Sequence, residues 1–578
     1  MIKSVSFVLL ILGSTAFGQS LTYVSAPNKS QPIEPDKPIG RTLRADETHQ
    51  YTASLGKGQY LDATINQRGI DVIVRVFGPD GTKVAEIDTP NGDQGDEPVA
   101  FEAKTAGDYR IEVSSLEKDV QPGYYALTLN EILSAQVYAA RKAERLRQQQ
   151  AIIGWLTSNA VPLKTVEAGH DFADLQPVKE TFKNVRFVGL GEATHGTREF
   201  FQVKHRLLEF LVQEMGFRGY AMEASYAAMH VINDYVMGDM NDGTSALNSQ
   251  GFWTWNTEEV RAIMDWARTY NAKVSPDKRV KFVGFDIQFN QPGKDKLLSY
   301  LQRVAPDRAD STKSFFAVNL DSLNSALSTS TQQIQMQNEL KSLKIKYRAL
   351  YEFLQSNGSD LVAKTGQAEY EQMQEYARVL NQYIDSYSSP TATGSVSRDQ
   401  FMADNFKRLV EHEPAGTRFV LWAHNGHIAT DTTRYYKPMG AYLRQFYGDD
   451  YYALGFSFNQ GSINAREAQP KDPKRRMLRP FTAPPALTSS VDWYLGQTRL
   501  KTFVVDFRAP AKNTDVNHWL DTPMLMRGIG SVYWQGADQN FFSPITIRQR
   551  FDGLLFINFT TPSRPNLSVK NVAGRDEK

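Results

Sequence analysis

The chain has 578 residues, 41% hydrophobic and 22% charged, with 65 Lys and Arg against 64 Asp and Glu. That length exceeds what one compact core holds, so two or three domains are expected. A net charge of +1 without a basic run gives no electrostatic basis for a nucleic-acid partner, and the lack of cysteine removes disulfides, a thiol nucleophile and thiolate metal sites.

Residues 1–18 read as an export signal. Lys3 supplies the positive start, Phe7 to Leu12 the apolar core, and Ala16, Phe17 and Gly18 a small-residue cleavage site before Gln19. The apolar run is too short for a stable membrane span, and no later segment is longer and equally apolar. The mature protein is therefore expected in the periplasm or outside the cell, without stable membrane insertion.

Residues 19–131 read as a small all-β sandwich. Segments 60–65, 71–77, 109–113 and 124–129 alternate apolar and polar residues, with turn signals at Gly78-Pro79-Asp80-Gly81 and Ala106-Gly107-Asp108. Residues 132–160, rich in Ala, Arg, Gln and Leu, predict a helical linker. From 161 to 578 the pattern becomes strand, turn, helix. Strands are predicted at 185–190, 218–223, 280–286, 417–423, 451–457, 502–507 and near 553–558, which makes this part α/β with a largely parallel sheet and flanking helices. Residues 310–388 break the rhythm with the heptad-like Leu323, Leu340, Leu343, Tyr347, Leu350 and Leu354 and predict an inserted helical hairpin. Residues 462–490, with several prolines and basic residues, read as a long irregular loop.

Polar residues recur at the carboxyl ends of the predicted strands, where open α/β sheets place their active sites. The first strand runs into Gly191-Glu192-Ala193-Thr194-His195-Gly196, the second ends at Glu223, the third at Asp286, and the fourth runs into His424 and His427. Grouping several ionisable side chains is costly, so this convergence marks a candidate site. Gly-x-Ser-x-Gly and His-Glu-x-x-His are both absent. Glu192 with His195, and His424 with His427, have residue types that bind zinc or iron, so a metallohydrolase is one reading. The other is metal-free hydrolysis. There His195 acts as general base, Glu192 and Glu223 are its carboxylate partners, and His424 with Lys204 or Arg398 stabilises the oxyanion. Lys204 and His205 are also compatible with a solvated helix face, Arg398 with pairing to Asp399 or Asp404, and Asp286 with a supporting role. Phe252, Trp253 and Trp255 form an aromatic cluster suited to an apolar cleft or to the core.

Several blocks resemble one family. Gly191-Glu-Ala-Thr-His-Gly-Thr-Arg-Glu199, Met222-Glu-Ala224, Trp253-Thr-Trp-Asn-Thr-Glu-Glu-Val260, Phe285-Asp-Ile287, Ser397-Arg-Asp-Gln-Phe-Met-Ala403, Trp422-Ala-His-Asn-Gly-His427 and Phe551-Asp-Gly-Leu-Leu-Phe556 are similar, in order, to the erythromycin esterase family. The resemblance implies an α/β core with a helical hairpin over a cleft, and metal-independent ester hydrolysis with no cofactor. It places the base on His195, partner glutamates on Glu192 and Glu223, and a second histidine on His424. A basic position that is arginine in macrolide esterases falls on Lys204. His427, Asp286, Trp253 and Trp255 are carried as further substrate-side candidates. Phe77-Gly-Pro-Asp-Gly81 and Ala106-Gly-Asp-Tyr-Arg-Ile111 resemble the bacterial pre-peptidase C-terminal type of domain. The expected partner is a small-molecule ester or lactone. The readings to be weighed against an exported esterase are the metallohydrolase and a non-catalytic envelope or glycan-binding protein.

Overall fold

A computed structural model describes residues 30–89, 92–318, 330–387, 397–433, 436–468 and 478–566. The export signal read in residues 1–18 lies outside them, as does Leu323. The chain divides into two compact units, Met1–Arg147 and Gln148–Lys578.

The first unit is a sandwich of a five-stranded and a four-stranded sheet. Its strands follow a period of two. Tyr60–Arg68 buries Leu61, Ala63, Ile65 and Gln67 and leaves the residues between them part-exposed or exposed. These side chains meet Val72, Val74 and Val76 of the neighbouring sheet.

In the second unit a sheet runs in the order Val161–Pro162, Thr502–Asp506, Gly553–Thr560, Tyr451–Glu467, Phe187–Leu190, Phe419–Trp422, Gly219–Ser225, Lys281–Asp286. The last six of these are mutually parallel, and Thr502–Asp506 runs antiparallel to Gly553–Thr560. Phe187–Leu190, Phe419–Trp422 and Gly219–Ser225 are buried along their whole lengths, as expected of parallel strands covered on both faces. Alternation decides which face each residue serves. Val188 and Leu190 pack with Phe200, Leu207 and Leu211 of helix Arg198–Met215. Phe187 packs with Met402 and Phe406 of helix Arg398–Glu411.

The four strands predicted to deliver polar side chains, Phe187–Leu190, Phe419–Trp422, Gly219–Ser225 and Lys281–Asp286, are consecutive neighbours, so their carboxyl ends share one edge. The inserted region is helical over Pro306–Phe316, Ser330–Ser356, Gly358–Thr365 and Gln367–Tyr387. Its heptad-like Leu340, Leu343, Tyr347, Leu350 and Leu354 pack on Met373, Tyr376, Leu380 and Ile384.

One expectation is corrected. The stretch 462–490 is not irregular throughout, because the strand Tyr451–Glu467 continues for 17 residues and pairs antiparallel with Arg479–Ala483. Pro480 is tolerated in this hairpin because the short strand pairs on one side only. Residues 469–477 lie outside the described ones.

Candidate active site

The first strand ends at Leu190 and helix Arg198–Met215 begins eight residues later, which makes a tight turn around Glu192 and His195. Other segments hold this turn by its carbonyls. Asn425 N–H donates to Glu192 O at 2.9 Å and Ile529 N–H to Ala193 O at 2.6 Å, while Asn464 and Ser563 N–H both donate to Gly196 O at 3.0 Å. Gly196 is required by this approach, since a Cβ there would meet the Asn464 carbonyl oxygen.

Glu192 is wholly buried and its two oxygens accept three hydrogen bonds. His195 Nδ1 lies 2.6 Å from Oε1, while Lys204 Nζ and Trp422 Nε1 donate to Oε2 at 2.5 and 2.7 Å. Burial opposes the charge on Glu192, but Lys204 and His195 outweigh it and hold the carboxyl down to about 2. An ionised Glu192 is an acceptor, so the proton between it and His195 sits on Nδ1. No described group bonds His195 Nε2, and the side chain keeps 16% of its exposure.

Lys204 is 0% exposed. It lies beneath Glu192 with Nζ 4.2 Å from the centre of the Trp422 ring. Burial pulls its ammonium down to about 8 against the attraction of Glu192. The expectation that Lys204 is solvated or faces the substrate oxyanion is therefore corrected. It is a buried counter-ion, placed inside by the amphipathic packing of helix Arg198–Met215.

His424 lies directly beyond strand Phe419–Trp422. Its ring centre is 5.0 Å from that of His195. Its Nδ1 accepts from Gly426 N–H at 3.1 Å, which puts the proton of a neutral ring on Nε2. Burial, with His195 nearby, pushes this imidazole down to about 3, so it is neutral at ordinary pH. Its Nε2 is buried and has no hydrogen-bond partner among the described residues. The site therefore holds an unused donor beside an unused acceptor.

Glu223 lies near the end of strand Gly219–Ser225. Its Oε2 accepts from His424 N–H at 2.9 Å and its Oε1 from Arg398 Nη2 at 2.8 Å. Burial disfavours its charge, yet His427 and Arg398 hold it well below the usual carboxylate range. Arg398 Nε and Nη2 also grip Asp286 at 2.9 and 2.7 Å. The alternative partners Asp399 and Asp404 for Arg398 are thus corrected: Arg398 starts its helix after the Ser397 cap but reaches back to the strand ends. Asp286, 1% exposed, acts on the guanidinium rather than on a substrate.

His427 has both ring nitrogens engaged, Nδ1 with Asp399 at 2.8 Å and Nε2 with Glu223 at 3.2 Å. Arg398 Nη1 lies 3.1 Å from the same Nε2, a contact that would suit a neutral ring. Three carboxylates against the single Arg398 favour the imidazolium. Burial works against that charge, but Glu223 and Asp399 raise the ring to about 10. Arg398 and His427, both partly exposed, form an ionic frame under Glu223. Trp255 is buried, edge-on to Trp422 at 5.0 Å and 6.2 Å from the His195 ring, so it belongs to the wall of the core. Trp253 is partly exposed.

Three partners in this arrangement escape sequence reasoning: Trp422 as a donor to Glu192, Asp399 as the carboxylate on His427, and Asn425. Asn425 braces the turn by exchanging hydrogen bonds with the Phe456 backbone at 2.7 and 2.9 Å. Among the described residues no three His, Asp or Glu side chains are grouped to hold a metal ion.

A family model described as erythromycin esterase matches residues 212–560. The chain belongs to the erythromycin esterase family. It is accordingly a hydrolase acting on ester bonds, with a small-molecule substrate. The matched span begins beyond Glu192, His195 and Lys204. Erythromycin esterase type II of Escherichia coli is 25% identical over 339 residues, covering 54% of this chain and 78% of that one. The putative hydrolase YbfO of Bacillus subtilis (strain 168) is 22% identical over 435 residues, covering 71% and 91%. Among solved structures, a Bacillus cereus protein aligns with a TM-score of 0.61 at 24% identity, covering 72% of this chain and 99% of that one. A mutant of the erythromycin esterase EreC in its open conformation aligns at 0.51 and 15% identity, covering 71% and 99%. These two likenesses concern the fold. No helix among the described residues is long and apolar enough to cross a membrane.

Proposed function

We propose that the protein is an exported carboxylic-ester hydrolase that uses no metal and takes His195 as its general base. One observation carries this reading: the free Nε2 of His195, held by buried Glu192, stands beside the unpartnered Nε2–H of His424. His195 Nε2 takes a proton from water as the water oxygen bonds to the ester carbonyl carbon. The carbonyl electron pair moves onto oxygen, and His424 Nε2–H donates to that oxyanion. Collapse breaks the bond to the alcohol oxygen, which takes the proton back from His195 and leaves the acid. Glu192 stabilises the transient imidazolium through Nδ1–H, and Lys204 and Trp422 keep that carboxylate in place. Glu223, Arg398, Asp286 and His427 fix the His424 backbone.

The metallohydrolase reading is disfavoured by where the donor atoms point. Both oxygens of Glu192 and both nitrogens of His427 are already engaged, and His424 Nδ1 accepts a backbone N–H. Export rests on Lys3, the apolar run from Phe7 to Leu12 and the small residues Ala16 and Gly18. A macrolide lactone is one candidate substrate, suggested by the name of the Escherichia coli relative; an acyl ester is another.

The test is hydrolysis by the chain from Gln19 onward, read by mass spectrometry on erythromycin and a panel of lactones and acyl esters, with and without EDTA. The expected result is addition of one water to a member of the panel, resistant to EDTA. In His195→Asn the rate drops at least on the order of 10³-fold. Turnover that survives His195→Asn, or that EDTA removes, overturns the mechanism. Recovery of the chain from cells with its original N-terminus, inside the cytoplasm, overturns the export reading.

A further inference from the structure

Phe289 is the one described aromatic residue with a left-handed backbone, at φ 53°. That conformation is a rarity for a bulky side chain and persists only where the surroundings impose it. Phe289 sits three residues beyond Asp286, the residue that grips Arg398, and within roughly 11 Å of it along the chain. Gln288 N–H donates to Asp286 Oδ1 at 3.3 Å and starts the turn that throws the ring outward.

The ring lies over Gly251, itself at φ +71°, where an added Cβ would run into the Phe289 ring. It also packs on Phe252, with centres 5.8 Å apart. Phe252 is three residues from Trp255, the ring beside His195. The segment between helices Gly243–Asn248 and Glu258–Asn271 and the turn after strand Lys281–Asp286 thus meet through Phe252 and Phe289, which remain partly exposed, as does Trp253 next to Phe252 in the chain. A strained aromatic residue left partly open to solvent gives up stability without burying its apolar surface fully, which is the pattern of a ligand contact and not of a core residue.

Building on the ester-hydrolase reading, we propose that Phe289 and Phe252 form an apolar platform that selects esters carrying a ring or branched hydrocarbon group. The platform determines specificity and takes no part in the chemical step. Gly251 lets Phe289 lie flat, and the turn after Asp286 sets its height relative to the ionic frame under Glu223.

The experiment compares parent, Phe289→Gly and Gly251→Ala on 1-naphthyl acetate and methyl 1-naphthoate, each against methyl acetate. Glycine adopts the backbone angle of Phe289 freely, so Phe289→Gly keeps its thermal midpoint. Its kcat/KM on at least one naphthyl compound falls about tenfold or more, the range an apolar pocket contact supplies, while methyl acetate is unchanged. Gly251→Ala gives the same split. An equal fall on all three substrates, or no fall on any, overturns the platform. If the parent turns over none of them, the catalytic reading has failed on these esters, and equilibrium binding of the naphthyl compounds decides the platform separately. A Kd raised about tenfold by Phe289→Gly upholds it; an unchanged Kd, or no saturable binding by the parent, overturns it.

Discussion

The buried Glu192–Lys204 pair allows a stability cycle with a definite shape. Folding moves Glu192 from 4.5 to about 2, which favours its charged form by about 3 kcal/mol at ~1.4 kcal/mol per unit. The same folding moves Lys204 from 10.5 to about 8, which disfavours its charged form by a similar ~3 kcal/mol. The two shifts point in opposite directions for one contact. At pH 7 both act in full: the Glu192 share is present above pH 4.5 and lost as pH falls through 2, and the Lys204 share disappears only as pH rises from 8 to 10.5. The same attraction enters both shifts, and it has to offset the burial of two side chains that do not reach water. The intact pair is therefore worth little net stability, whereas removal of one member strands a buried charge at a cost of about 3–5 kcal/mol.

Lys204→Met is expected to lose about that amount. Glu192→Gln with Lys204→Met should recover to within about 1 kcal/mol of the parent, because the amide still accepts from Trp422 and can donate to His195 Nδ1. That donation moves the ring proton to Nε2, so the recovered protein should have kcat lower by something on the order of 10⁴, as for a general base in the wrong tautomer. Urea unfolding followed by tryptophan fluorescence isolates the relevant unit, since all 8 tryptophans lie between Trp155 and Trp534. If Lys204→Met unfolds within about 1 kcal/mol of the parent, or the double variant loses as much as the single losses added, the buried-pair argument is wrong.

Replacing His424 with Phe removes the only donor assigned to the oxyanion, and steady-state kinetics should show kcat down about 10²–10³-fold with KM little changed; a loss under tenfold removes His424 from that role. His427 is raised from 6.5 to about 10, so its stabilisation is complete below pH 6.5 and is lost as pH rises through 10. Unfolding measured from pH 6.5 to 8, below the range in which Lys204 titrates, should show this decline in the parent and not in His427→Gln. Gly196→Ala forces the catalytic turn away from the Asn464 carbonyl. It should cost about 1–3 kcal/mol of stability and lower kcat in addition, and a variant with parental kinetics would show that the turn tolerates displacement.

Much of this architecture can be read from the chain because parallel strands covered on both faces are nearly continuous apolar runs, as in Phe187–Leu190 and Phe419–Trp422. The Glu192 and His195 pairing is local and was equally legible. What stays hidden is side-chain pairing across long separations. Arg398 meets Glu223 from 175 residues away and Asp286 from 112, whereas the nearer Asp399 is taken by His427. Sequence places each residue at a strand end but not which strand lies beside which, and here Phe419–Trp422 slips between the first two strands of the series. The burial of Lys204 is hidden for a related reason: a lysine on an amphipathic helix is ordinarily solvated, and only the buried Glu192 carboxylate makes its burial tolerable. The prolines of 462–490 suggested a loop, because composition does not show whether a strand has one paired side or two.

The catalytic turn near the start of the second unit is tied to residues Thr561 and Ser563, late in the same unit. Glu199 Oε2 accepts from Thr561 N–H across 362 residues of chain, and Ser563 N–H closes on Gly196 O. During synthesis His195 leaves the ribosome long before these residues, or Asn425, Asn464 and Ile529, exist, so the turn gains its last tethers only when nearly the whole unit has been made. Ester-cleaving activity should then depend on synthesis past Ser563: nascent or prematurely stopped chains that end before residue 560 carry every residue of the proposed chemistry and still have an unassembled centre.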